Sequence, residues 1–255
     1  MTGRLQGKKG LIVGIANEHS IACGCAKAFQ AEGAELAVTY LNDKAKTHVQ
    51  PLAERVKAPI ILPLNVQDEA QMQVLFDTIK KQWRQLDFLL HSIAFAPKDD
   101  LHGRITDCSR EGFLTAMDIS CYSFIKMAHL AEPLMKNGGC MITTSYYGSQ
   151  QVIERYGVMG PVKAALEGAV KYMAHELGEK NIRVNALSPG PILTRAAGGI
   201  PGFEALIAEA KRKAPGRDIP TIEDVGAMAA FLASDAARHI TGNISYVDCG
   251  YHIMG

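Results

Sequence analysis

Three side chains that could take part in chemistry lie within one short stretch of the chain, and they are Tyr146, Tyr156 and Lys163. In a continuous helix, residues seven apart lie about 20° from eclipsed and roughly 10.5 Å apart along the axis, so Tyr156 and Lys163 would share a face. An ammonium buried beside a phenol favours the phenolate and strengthens the hydroxyl as a donor to a developing oxyanion. This pattern predicts that Lys163 lowers the pKa of Tyr156 and that the pair stabilises negative charge on a substrate oxygen.

The same residues also have an ordinary structural interpretation, in which the tyrosines are packed aromatics and the lysine is a solvated helix residue. Pro161 bears on the helix itself, because a proline in a helix interior removes one hydrogen bond and clashes with the carbonyl four residues back, here that of Gly157. We therefore expect Tyr156 at or just before the helix start, with Pro161 in the first turn.

The composition bounds the class of protein. The 255 residues carry a formal net charge of +1, and no cluster of one sign indicates a nucleic-acid or membrane-surface partner. The apolar runs are too short to span a bilayer and the N-terminus lacks a signal peptide's apolar core, so we expect a cytoplasmic protein. The six cysteines and eight histidines have no metal-ligand spacing, and we predict no metal site.

Apolar runs alternate with amphipathic segments along the whole chain. Strands are predicted at Lys9–Gly14, Glu35–Tyr40, Ile60–Val66, Phe88–Ile93, Cys140–Tyr146, Arg183–Leu187 and Ile244–Val247. Helices are predicted at Ile21–Glu32, Asp43–Val56, Glu69–Gln85, Arg110–Lys136, Val162–Leu177 and Ile222–Ser234. Continuously apolar strands separated by helices require a parallel sheet covered on both faces. We predict an α/β fold, a Rossmann-like doubly wound sheet of about seven strands in a single domain over residues 1–255.

In such sheets ligands bind beyond the carboxyl ends of the strands. The first strand is followed by a turn from Gly14 to Gly24 that differs from the GxGxxG fingerprint, because Ala16 takes the second glycine's place. Its backbone amides and the Ser20 hydroxyl could still face a pyrophosphate at the next helix's N-terminus. The alternative is a tight strand-to-helix turn with Ser20 as N-cap.

The tips of the next strands indicate which dinucleotide is bound. Leu41 follows the second strand, where neither an arginine for a 2′-phosphate nor an acid for a free 2′-hydroxyl is present, although Lys44 lies close by. NADH is favoured over NADPH. An amide at Asn65, beside Val66, could hold the adenine edge, or it could bond its own turn. Small residues at Ser92–Ala94 leave room for ribose and nicotinamide.

Several local strings are specific to one family. They are Gly14-x5-Ser20-Ile21-Ala22, His91-Ser-Ile-Ala-Phe-Ala-Pro97, Asp118-Ile-Ser, Ser145-Tyr146, Tyr156-x-Val-Met159-Gly160, Arg183-Val-Asn185-Ala and Pro189-Gly-Pro-Ile192-x-Thr194. With Tyr156-x6-Lys163, they make the chain resemble, essentially from end to end, the bacterial enoyl-acyl-carrier-protein reductases. These form the divergent branch of the short-chain dehydrogenase/reductase family, whose ordinary members use a Tyr-x3-Lys spacing that fails here because position 160 is glycine.

The resemblance implies a role for each matching position. Tyr156 would bond the thioester carbonyl oxygen, Lys163 the nicotinamide ribose, and Tyr146 would be a second active-site tyrosine whose role is less settled. The positions implied to contact the dinucleotide are Gly14, Ser20, Ile21, Val66, Ile93, Ile192 and Thr194. Ala96 and Met159 would lie on the acyl-substrate side. Leu41 and Asn65 depart from the Gln and Asp associated with well-known members.

The implied reaction is hydride addition from NADH to the β-carbon of a trans-2-enoyl thioester in type II fatty-acid biosynthesis, with an acyl carrier protein as partner. Residues 193–213 are rich in small residues and then amphipathic, which is typical of a lid over an apolar chain or of a plain surface loop. Arg195, Lys211 and Arg212 are candidates to contact the carrier protein, and the resemblance implies a homotetramer.

Two other functions stay open at this point. One is a carbonyl reductase or alcohol dehydrogenase of the same superfamily, which the seven-residue Tyr-to-Lys step disfavours. The other is a nucleotide-sensing regulator without turnover, for which loss of Tyr156 or Lys163 would have been evidence, and both are present.

Overall fold

Seven strands pair side by side in one parallel sheet across the part of the chain that the computed structural model describes, residues 3–194 and 202–254. The strands are β1 (Lys9–Val13), β2 (Glu35–Tyr40), β3 (Ile60–Pro63), β4 (Phe88–His91), β5 (Gly139–Thr144), β6 (Ile182–Pro189) and β7 (Ile244–Val247). Their order is β3-β2-β1-β4-β5-β6-β7, and every neighbouring pair is parallel. The predicted α/β fold class is confirmed, with the strand order reversing between β1 and β4.

Helices cover both faces of this sheet. They are α1 (Ile21–Ala31), α2 (Asp43–Arg55), α3 (Glu69–Trp83), α4 (Lys98–His102), α5 (Arg110–Met117), α6 (Ser123–Ala131), α7 (Met159–Gly178), α8 (Phe203–Lys213) and α9 (Ile222–Ala233). One face buries apolar side chains from α3, α6 and α7, and the other buries those of α1, α2 and α9. Leu11 and Ile12 are both fully buried on opposite faces because successive strand residues alternate.

The single helix predicted at Arg110–Lys136 is wrong. A π-helical turn at Asp118–Tyr122 separates α5 from α6, and a 3-10 turn at Glu132–Leu134 ends α6. Pro133, within that last turn, has no N–H with which to continue the helix. The π-turn is held by a tertiary contact, since the Ser120 hydroxyl donates to the Phe95 carbonyl at 3.0 Å and accepts from its amide at 2.9 Å. The short α4 was not predicted.

Strand ends differ from the predicted ones by up to three residues. β3 ends at Pro63 rather than at Val66, and β4 ends at His91 rather than at Ile93. Asn65, Val66 and the segment Ser92–Ile93 therefore lie in the loops at the carboxyl edge of the sheet. Arg195 and the middle of the predicted lid lie outside the described residues. No helix in the described ranges is long and apolar enough to cross a membrane.

Candidate active site

Tyr156 lies three residues before the start of α7, and Pro161 falls in the first turn of that helix, as predicted. Gly157 has a left-handed φ of 48°, so the chain is not helical there. The clash expected between Pro161 and the Gly157 carbonyl in a continuous helix is therefore avoided. A Cβ on Gly157 would lie 2.4 Å from the Leu101 carbonyl oxygen of α4. Glycine is therefore required at this bend, which turns Tyr156 towards the carboxyl edge of the sheet.

The ring of Tyr146 packs against that of Tyr156 in the turn that follows β5. Their centroids are 5.0 Å apart and the ring planes meet at 64°, an edge-on arrangement that aromatic pairs favour. Gly148 makes this packing possible, because a Cβ there would lie 2.6 Å from Cδ1 of Tyr156. The backbone of the turn thus fixes the position of the Tyr156 ring.

Lys163 is buried, with 4% of its surface exposed, and its Nζ donates to the Thr144 carbonyl oxygen at 2.6 Å. Burial lowers the pKa of Lys163 to about 8, while the neighbouring Cys121 and Glu167 act in the opposite direction. The solvated-lysine interpretation is therefore wrong. The carbonyl at the end of β5 holds the ammonium on the same side of the sheet as the two tyrosines.

The prediction that Lys163 lowers the pKa of Tyr156 is wrong. Burial raises the pKa of Tyr156, and Tyr146 and Glu167 raise it further. Desolvation disfavours the phenolate more strongly than a lysine engaged by the Thr144 carbonyl can favour it. Burial also raises the pKa of Tyr146. Both phenols are therefore neutral hydrogen-bond donors at physiological pH.

The buried hydroxyl of Tyr146 has no hydrogen-bond partner among the residues that the structure describes. Leaving a buried hydroxyl unpaired costs roughly 1–3 kcal/mol, and native proteins seldom leave such groups unsatisfied. This orphaned donor beside Tyr156 therefore marks a place where an acceptor atom of a ligand would be stabilised.

The turn after β1 forms a tight backbone cradle. Gly14 has a φ of 111°, and a Cβ there would lie 2.1 Å from the Ser92 carbonyl oxygen. The Ser20 hydroxyl donates to the Asn17 carbonyl at 2.6 Å and makes no capping bond to α1. Within the described ranges, the amides of Ile21 and Ala22 donate to no protein acceptor. Free amides at a helix N-terminus suit a phosphate.

The residues proposed to meet the adenosine end lie at the tips of β2 and β3. Leu41 is 58% exposed, and Lys44 beside it is also exposed. Oδ1 of Asn65 accepts from the Gln67 amide at 3.2 Å, so the alternative in which Asn65 bonds its own turn is correct for this oxygen. Val66 is partly buried against the core. The structure thus brings these side chains to one end of the carboxyl edge.

The remaining predicted contacts lie nearer the tyrosines. Ser92 accepts from the Thr144 hydroxyl at 3.2 Å, and Ile93 packs partly buried against the same apolar cluster as Tyr156. Ala96 and Met159 are members of that cluster, with only 8% and 4% of their surface exposed. The predicted acyl-side residues therefore lie with Tyr156 but face mainly into the core.

Ile192 and Thr194 follow β6 at the same edge of the sheet. Ile192 is 9% exposed and packs in the cluster on the α1 face, and the Thr194 amide donates to its carbonyl at 2.8 Å. The two cations predicted on α8 are engaged in ion pairs. Lys211 lies 3.6 Å from Asp218, and Arg212 contacts Glu209 at 2.6 Å.

Two buried polar residues near the site were missed in the sequence. Glu167, one turn after Lys163 on α7, accepts hydrogen bonds from Ser145 and Ser149. His91, at the end of β4, bonds Thr143 through Nδ1 and Ser123 through Nε2, at 3.0 and 2.8 Å. The only indication in the sequence that Glu167 lies near the site is its position four residues after Lys163, one turn along the predicted helix.

The contacts of His91 fix its tautomer. The Ser123 hydroxyl donates to the Ile119 carbonyl, so its oxygen must accept a proton from Nε2 of His91. Nδ1 then accepts from Thr143. Burial, with a contribution from the Lys163 charge, lowers the pKa of His91 to about 3, so the imidazole stays neutral. No group of three or more His, Cys, Asp or Glu side chains in the described ranges could hold a metal ion.

A doubly wound sheet with a glycine cradle at its switch point, and with a tyrosine and a buried lysine at its carboxyl edge, defines a short-chain dehydrogenase/reductase. Residues 14–252 match the family model described as enoyl-(acyl carrier protein) reductase, and the chain belongs to that family.

Curated relatives in this family are similar over essentially their whole length. The enoyl-[acyl-carrier-protein] reductase [NADH] FabI of Rickettsia felis is 48% identical over 254 residues, covering 100% of this chain and 98% of the relative. The corresponding Aquifex aeolicus protein is 45% identical, covering 99% and 94%.

Solved structures agree with the same assignment. The Anaplasma phagocytophilum reductase in complex with NAD has a TM-score of 0.96 at 47% identity, over 100% of this chain and 97% of that one. The Bacillus cereus enoyl-acyl carrier protein reductase, solved with NADP+ and indole naphthyridinone, has a TM-score of 0.97 at 42% identity, over 99% of both chains.

Proposed function

We infer that the protein is an NADH-dependent enoyl-[acyl-carrier-protein] reductase, which reduces the trans-2 double bond of enoyl thioesters in type II fatty-acid biosynthesis. The observation that carries this inference is the pair of packed tyrosines beside a buried lysine at the carboxyl edge of the sheet. Relatives that are named for this activity, and that match the chain over nearly its full length, support it.

The residues present fit a nicotinamide dinucleotide. The Gly14 turn, which passes too close to the Ser92 carbonyl for any side chain, and the free amides of Ile21 and Ala22 suit a pyrophosphate. The other side chains proposed to hold the cofactor lie along the same edge and are Ser20, Leu41, Asn65, Val66, Ser92, Ile93, Lys163, Ile192 and Thr194. NADH is proposed over NADPH because no arginine follows β2 to pair with a 2′-phosphate.

When bound, the nicotinamide supplies the hydride that reduces the β-carbon. The residues of this chain then stabilise the charge that develops on the thioester oxygen. Tyr156, a neutral phenol held by Gly148 and Gly157, donates a hydrogen bond to that oxygen. The orphaned hydroxyl of Tyr146 supplies a second donor beside it. The Lys163 ammonium binds ribose hydroxyls and adds positive charge to the site.

The substrate side of the site is apolar. Ala96 and Met159 border Tyr156 within the core cluster, and we propose that the acyl chain extends along these residues. Segment 193–213 is proposed to cover that chain. Since Lys211 and Arg212 already have acidic partners, a carrier protein would have to compete with those ion pairs to use them.

We propose that the protein is a homotetramer in the cytoplasm. Large apolar side chains are exposed on the helices of the α7 face, where contact with another copy would cover them. These side chains are Phe113 and Leu114 on α5, Ile125 on α6 and Tyr172 on α7.

One assay separates the three candidate functions. Purified protein with NADH and crotonyl-CoA, followed at the nicotinamide absorbance, should show NADH oxidation, and an enoyl carrier-protein substrate should also be reduced. Turnover only with a ketoacyl thioester would indicate a carbonyl reductase. NADH binding without turnover on either substrate would indicate a regulator.

A further inference from the structure

Glu167 is a buried carboxylate on the helix that carries Lys163. Only 6% of its surface is exposed, and it lies one turn beyond Lys163 on α7. A buried carboxylate is costly unless hydrogen-bond donors surround it, because burial removes its hydration. Its retention therefore calls for donors close to the carboxylate.

Within the described part of the chain, the donors to Glu167 come from one short turn. Oε1 accepts from the hydroxyls of Ser145 and Ser149, at 2.5 and 2.7 Å, and Oε2 lies 3.5 Å from Nε2 of Gln150. These residues flank Tyr146 on both sides. A single carboxylate thus ties the turn that carries Tyr146 to the helix that carries Lys163, and hydrogen bonds to a charged acceptor are the stronger kind.

Glu167 also contributes negative charge to the environment of Lys163. Among the described residues, the groups that act electrostatically on Lys163, or are acted on by it, are Cys121 of the π-turn, Glu167 on its own helix and His91 of β4. Cys121 is a buried thiol and His91 a buried neutral imidazole, so Glu167 is the anion of this set. Burial disfavours the Lys163 ammonium, and Glu167 partly offsets that effect.

We propose that Glu167 is a positioning residue for the reduction, holding the Tyr146 turn in place beside Lys163 and supporting the Lys163 ammonium with its charge. This inference rests on the proposed function, because it concerns the same site. It assigns Glu167 no contact with substrate or cofactor.

The test compares Glu167→Gln with Glu176→Gln, the same change at an exposed position of α7. Glu167→Gln keeps an acceptor for the serines and removes the charge. We expect its kcat with NADH and crotonyl-CoA to fall roughly tenfold, since two charge-assisted hydrogen bonds become neutral. The alkaline limb of its pH–rate profile should move to lower pH, because the Lys163 ammonium loses its anionic neighbour. Glu176→Gln should leave both unchanged.

A second variant separates the two roles and remains informative if Glu167→Gln fails to fold. The double change Ser145→Ala and Ser149→Ala removes two donors while the carboxylate stays. We expect it to lower kcat but to leave the alkaline limb no lower than in the wild type.

The proposal is overturned if Glu167→Gln melts earlier yet keeps wild-type kcat and an unmoved alkaline limb, as a merely structural residue would. It is also overturned if the serine pair variant keeps wild-type kcat. Failure of the wild-type protein to oxidise NADH with any enoyl thioester would instead refute the proposed function, so the two failures are distinguishable.

Discussion

Replacing Gly148 by alanine should displace the Tyr156 ring without distorting the backbone. The φ of Gly148 is not positive, so alanine can adopt the same backbone conformation. The new Cβ would lie 2.6 Å from Cδ1 and 2.8 Å from Cε1 of Tyr156, whereas ordinary contact begins at 3.4 Å. The ring must therefore move by about 0.8 Å relative to the turn, a distance set by the difference between those contacts.

A shift of this size acts directly on the proposed donor hydroxyl. Misplacement of a reacting group by about 1 Å can cost roughly 100-fold in rate, so we expect Gly148→Ala to lower kcat by about 10- to 100-fold. The affinity for NADH, measured by fluorescence titration, should stay close to wild type because the proposed pyrophosphate cradle lies after β1. Steady-state assays with crotonyl-CoA give kcat.

Two further variants show whether the loss acts through Tyr156. Gly178→Ala, at the end of α7, places a Cβ in open space and should keep wild-type kcat. Adding Gly148→Ala to Tyr156→Phe should cost little more than Tyr156→Phe alone, because both changes remove the same hydrogen bond. A wild-type kcat for Gly148→Ala would refute the reasoning, and so would fully additive losses in the double variant.

Three other predictions follow from the buried groups. Tyr156→Phe should lower kcat by roughly 100-fold with near-normal NADH affinity, and an unchanged rate would remove Tyr156 from the oxyanion role. Lys163→Ala should weaken NADH binding and lower kcat. In the wild-type protein the rate should fall as pH rises through about 8, where the Lys163 ammonium loses its proton. Intact NADH affinity in Lys163→Ala, or a wild-type rate that does not fall at alkaline pH, would count against contact of Lys163 with the ribose. Because the pKa of His91 is about 3 in the folded protein against 6.5 for the free side chain, its stabilising effect is complete above pH 6.5 and is lost as pH falls towards 3. At about pH 5 the free energy of unfolding, measured with urea, should be about 2 kcal/mol lower than at neutral pH because of His91. In His91→Gln the free energy of unfolding should decrease by less between neutral pH and pH 5.

The alternation of apolar strands and amphipathic helices determined the architecture before any coordinates. β2 and β7 begin and end where they were predicted. β2 is buried from Leu36 to Tyr40, as a strand covered on both faces must be, and β7 is a half-buried strand at the edge of the sheet. The predicted ends of β3 and β4 were three and two residues too late, because the loops that follow these strands contain the apolar residues Leu64, Val66 and Ile93. A local pattern cannot separate such residues from the strand.

The sequence by itself also determined how α7 begins, since Pro161 restricts where a helix can start. Only the tertiary structure decided the ionisation of Tyr156 and the role of Glu167. The pKa of a phenol depends on how completely its surroundings exclude water, and the donors around Glu167 come from a turn 17 to 22 residues away. Burial and charge pairing arise from contacts between distant segments, and residue types at fixed spacing do not encode those contacts.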